Sequence, residues 1–166
     1  MAVLTRQRWC VATALLVPFL VLASPGAVKL AGVPPSWAVL WLLPWALVDG
    51  PLSGAFAGLG LGLMLDALVL GEVTQIPALI LLGWWWGRLG RKGPPIERSF
   101  SLGLLALLGT ALVGATVLLQ QLWRGQLGEG ALHTLCAQTL LTALLAPMLC
   151  SLQLLLWRQQ APGLRS

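Results

Sequence analysis

One histidine, three cysteines and five carboxylates are all that 166 residues offer to acid–base, thiol or metal chemistry. Cys10, Cys136 and Cys150 stand far apart in apolar stretches, with no Cys-x-x-Cys pair. They read as small buried hydrophobes rather than ligands or disulfide partners. His133 has no Cys, Glu or second His at metal-ligand spacing. No metal and no cofactor is therefore expected, and His133 reads as an interfacial polar residue. Gly50-Pro51-Leu52-Ser53-Gly54 approaches a Gly-x-Ser-Gly nucleophile motif but has one residue too many. Its base would have to be His133, which the helix order puts at the opposite end of the chain's bundle. No glycine loop for a phosphate is present. The residues argue against catalysis.

The sharpest spacing is Gly54-x-x-x-Gly58-x-x-x-Gly62-x-x-x-Asp66. Steps of four put these residues on nearly one helix face. The glycines make a groove that another helix can approach closely. A carboxylate within a span is costly, so Asp66 is expected to face a protein interior, a partner or a wet cavity. Gly54, Gly58, Gly62 and Asp66 are thus candidates for partner binding or helix packing. Ala106, Thr110 and Gly114 form a smaller face of the same kind, a packing partner for the glycine helix. Gln138, Thr139, Thr142 and Gln153 share a helix with Pro147. They are expected to bond structurally, with a polar pocket as the alternative.

Composition decides what positions these groups. Hydrophobic residues make up 58% of the chain and charged residues 9%, with a mean hydropathy of +0.87. Soluble domains carry about 25% charged residues. Such a chain needs the bilayer as its solvent, and a span needs roughly 20 apolar residues. The expectation is an all-α membrane protein, one domain over residues 1–166, with six transmembrane helices. They are expected over about 9–28, 37–48, 52–70, 76–89, 100–121 and 131–157. The first, preceded by Arg6 and Arg8, is read as an uncleaved span. Asp49-Gly50-Pro51 is a strong turn signal. The second helix has about 12 residues, reaching about 18 Å, less than the roughly 30 Å hydrocarbon core. Helices 2 and 3 are therefore expected to form a short hairpin.

The net charge is +5. The basic residues are scattered and no binding motif accompanies them, so nucleic acid is not an expected partner. They sort by side instead. With the N-terminus inside, Arg6, Arg8, Arg88, Arg91, Lys92, Arg98, Arg158 and Arg165 fall in the cytoplasm, and Lys29 and Arg124 outside. That bias predicts both termini in the cytoplasm. Arg88, Arg91, Lys92 and Arg98 form a cytoplasmic basic loop suited to anionic membrane lipids. Trp9, Trp37, Trp123 and Trp157 fall at helix ends, where indoles favour the interface. Trp37, Trp41 and Trp45 lie along one side of helix 2 as a lipid-facing or packed ridge, or a partner-binding one.

The order of features resembles the rod shape-determining MreD family. The similar stretch runs from about Pro34 to Arg91. It holds Pro35-Ser36-Trp37, the run Leu40-Trp41-Leu42-Leu43-Pro44-Trp45-Ala46-Leu47, and Gly62-Leu63-Met64-Leu65-Asp66-Ala67-Leu68 with Gly71 beyond. The resemblance implies a non-enzymatic scaffold of the bacterial inner membrane. It implies pairing with the single-span protein MreC, linking MreB filaments to the glycosyltransferase RodA and its transpeptidase. It also implies a fold like the six-helix substrate-binding subunits of energy-coupling-factor transporters. Gly58, Gly62 and Asp66 carry over from the family pattern. The competing expectation is a substrate-binding membrane subunit for a small vitamin-type solute.

Overall fold

A computed structural model describes residues 13–23, 32–69, 73–92, 99–125 and 128–159. They form six helices: α1 (Leu16–Ala23), α2 (Trp37–Asp49), α3 (Pro51–Val69), α4 (Ile76–Lys92), α5 (Ser99–Trp123) and α6 (Ala131–Gln159). The stretches Pro51–Leu68, Ser101–Trp123 and Ala131–Gln153 are long and apolar enough to cross a membrane. Large apolar side chains lie exposed on these helices, among them Phe56, Leu63, Leu119, Leu144 and Met148. In water such a surface would drive association. It suits lipid tails, and with the three long apolar helices it points to a membrane protein.

Helix α2 is the centre. Nothing polar lies between Ser36 and Asp49, and every residue from Ala38 to Ala46 is buried. A helix apolar on all sides belongs inside. Trp41 and Trp45 stack at 5.0 Å within this core, so the aromatic ridge does not face lipid. Gly50 closes α2 at φ 98, donating its N–H to the Ala46 carbonyl. Pro51 then opens α3, a position where its missing N–H costs nothing. A central helix meets neighbours rather than lipid tails, which suits its 13 residues, about 20 Å.

The remaining helices alternate around it. Helices α3 and α4 are antiparallel, Gly54 meeting Gly83 and Gly62 meeting Ile76. Trp86 of α4, fully buried, sits in the notch left by Gly109 of α5. Gly103 of α5 lies against Pro147 of α6. Helix α6 runs parallel to α2, since the Ser36 N–H donates to Thr142 Oγ1 at 3.0 Å and Cys150 reaches Leu40.

The end of the fourth helix differs from the sequence reading. Helix α4 continues past Leu89 to Lys92, so Arg88, Arg91 and Lys92 are helical rather than part of a loop. Gly90 is tolerated there because it abuts the Leu47 backbone. Arg98 lies outside the described residues. So do residues 9–12 and 24–28 of the expected first helix, of which α1 covers Leu16–Ala23.

Candidate functional site

The α3 glycine face is a seam inside this chain. A Cβ at Gly54 would run into the Gly83 carbonyl, and one at Gly58 into that of Leu79. At Gly62 a Cβ would stand 2.8 Å from the Ile76 Cα. Helix α4 answers with its own row. Gly83 meets Gly54, Gly87 meets Gly50 and Pro51, and Gly90 meets Leu47. Small residues on both sides let the backbones touch, which is how helices gain packing energy where lipid removes the hydrophobic drive. The expected packing partner, the Ala106, Thr110 and Gly114 row of α5, points elsewhere. Ala106 and Thr110 are buried, and Gly114 meets Leu135 of α6. The row Gly83-x-x-x-Gly87 was the missed signal, masked by three tryptophans between its members.

Asp66 finishes this seam. Its Oδ1 accepts the Gln75 N–H at 3.1 Å, and its Oδ2 accepts the Thr74 hydroxyl at 2.5 Å. Thr74 Oγ1 in turn accepts the Ile76 N–H at 3.3 Å. The first N–H groups of a helix have no partner in the helix itself. Asp66 thus caps α4 from α3, with its negative charge at the positive end of the helix dipole. Gln120 of α5 joins the cluster. Its Nε2 donates to the Thr74 carbonyl at 2.9 Å, and its Oε1 accepts the Thr74 N–H at 3.0 Å.

The opposite end of the hairpin is basic. Arg91 lies over the Gly50 turn, where a Cβ would meet its Nε at 2.6 Å. Arg88 sits 4.8 Å above the Trp84 ring, a cation–π arrangement. Trp84 and Trp85 are exposed while Trp86 is buried. Ser53 is engaged locally, accepting from Trp45 Nε1 at 3.0 Å and donating to Asp49 Oδ2 at 3.4 Å. His133 lies in the first turn of α6, at the other end of the bundle. Among the described residues no cluster of His, Cys, Asp or Glu could hold a metal.

Two cavities stand out among the described residues. One, of about 280 Å³, lies beside α3, with Trp41 and Trp45 against Phe56, Ala57, Gly60 and Met64. A Cβ at Gly60 would meet nothing within 4 Å. The other, of about 270 Å³, lies at the Asp66 end between α5 and α6. Its polar lining residues are Gln121 and Thr110 of α5, Thr134 and Gln138 of α6, and Ser36 and Gln75 ahead of α2 and α4. Val113, Val117 and Leu135 supply an apolar wall. On α6, Gln138 reaches this cavity, while the Thr139 and Thr142 hydroxyls donate to carbonyls one turn back, those of Leu135 and Gln138. Compared with known proteins, the chain matches no family model, no curated protein and no solved structure.

Proposed function

We propose that the chain is a non-enzymatic scaffold subunit of the bacterial cell-wall elongation complex, held in the cytoplasmic membrane by six spans with both termini inside. The resemblance of Pro34 to Arg91 to the MreD family supports the reading. The observation that carries it is the apolar groove beside α3. Trp41 and Trp45 line it with Phe56 and Met64, and a Cβ at Gly60 would meet nothing within 4 Å. Small residues beside aromatic ones let a further helix approach closely in lipid. The occupant fitting this reading is the spanning helix of an MreC-like partner. Through it the subunit would join MreB filaments to a RodA-type glycosyltransferase and its transpeptidase. The glycine face of α3 is already covered by α4, which leaves the Gly60 face as the docking surface. Arg88 and Arg91 mark the cytoplasmic end in this reading and meet anionic lipids there.

Co-purification tests the proposal. Gly60→Phe puts a ring into the groove from a position where a Cβ meets nothing within 4 Å. It should lower the recovered MreC-like partner about tenfold at unchanged expression of the subunit. Recovery of no such partner with the unaltered chain, or equal recovery with Gly60→Phe, would remove the reading.

A further inference from the structure

The cavity at the Asp66 end has a chemistry of its own. Three glutamines line it, Gln75, Gln121 and Gln138, together with Ser36 and Thr134. The amides of Gln121 and Gln138 bond to no described residue, and the Ser36 hydroxyl makes no cap bond to α2. Each amide offers two donors and an acceptor, and the Ser36 hydroxyl offers both, while Thr134 Oγ1 donates to the Gly130 carbonyl at 3.1 Å and keeps acceptor capacity only. No ionisable side chain is among the described lining residues. A charged ligand leaving water needs a counter-charge, and this cavity offers none. A group that both donates and accepts, carries no charge and has an apolar face matches the lining. At about 270 Å³ the space is far larger than one water and near the lower end of ligand pockets, about 300 Å³. It holds a single ring.

We infer that this cavity binds an uncharged, hydroxyl-rich ring of the size of one sugar. Amides from Gln75, Gln121 and Gln138 would pair with the hydroxyls, while Val113 and Leu135 cover the ring's C–H face. The ring is the headgroup of a neutral glycolipid or a free monosaccharide. The site shares no lining residue with the Gly60 groove and does not rest on the scaffold reading.

Full-length protein in nanodiscs tests the inference with three probes: glucosyl diacylglycerol, free glucose and phosphatidylglycerol. Native mass spectrometry reads retained lipid, and the thermal midpoint reads glucose. Saturable retention of glucosyl diacylglycerol over phosphatidylglycerol assigns a headgroup site. A raised midpoint with glucose assigns a free solute. Either supports the site if the double variant Gln121→Leu/Gln138→Leu lowers binding about tenfold. Gln138→Met alone serves should the double variant fail to fold. Binding of neither glycan, preference for phosphatidylglycerol, or undiminished binding by the variants overturns the inference.

Discussion

The Cys150 thiol of α6 donates to the Leu40 carbonyl of α2 across 3.7 Å, and Leu40 is the residue that Pro44 leaves without a helical partner. Pro44 lies inside α2, four residues on, and a proline has no N–H to return to residue i−4. An unmet carbonyl in a dry interior costs about 1–3 kcal/mol. Cys150 is fully buried, so no water competes for the site. A cysteine that reads from sequence as a small hydrophobe therefore also repairs a backbone defect in the central helix.

The repair makes Cys150 and Pro44 energetically coupled. Cys150→Ala should cost about 1 kcal/mol, and Cys150→Ser, which keeps a donor, should cost less. In a Pro44→Ala background the N–H of residue 44 can serve Leu40, and Cys150→Ala should become nearly neutral. A double-mutant cycle by reversible unfolding in detergent measures this. Additive effects would show that the thiol contributes only volume.

The glycines of α3 should divide sharply by face. Gly58 touches the Leu79 backbone, whereas Gly60 faces open space. Gly58→Val forces α3 and α4 apart and should cost about 1–3 kcal/mol or more. Gly60→Ala meets nothing and should stabilise the helix by up to about 1 kcal/mol. Thermal unfolding of the two variants decides it, and equal behaviour would refute the seam.

Asp66 is a cap in this structure. Asp66→Ala removes the acceptor from the Gln75 N–H and the Thr74 hydroxyl, at a cost of about 1–3 kcal/mol. Asp66→Asn keeps one carbonyl acceptor and should retain roughly half of that. Unfolding midpoints give the ranking. If Asp66→Ala left stability untouched while abolishing partner recovery, the carboxylate would serve a partner rather than α4.

What the sequence determined by itself was the solvent and the local faces. A charged fraction of 9% rules out a water-facing shell. Steps of four aligned Gly54, Gly58, Gly62 and Asp66, because helix geometry is local. Proline and glycine marked the Asp49–Pro51 turn. Which faces meet was decided only by the tertiary structure. Lipid tails are as apolar as leucine, so hydropathy cannot separate a buried Leu42 from an exposed Leu144. That ambiguity concealed the central place of α2 and the pairing of α3 with α4 rather than α5. The bond from Cys150 to Leu40 spans 110 residues, and the glutamine-lined cavity gathers α5, α6 and the starts of α2 and α4. No local period encodes such meetings. They arise when glycine notches and caps permit one packing of apolar helices over the others.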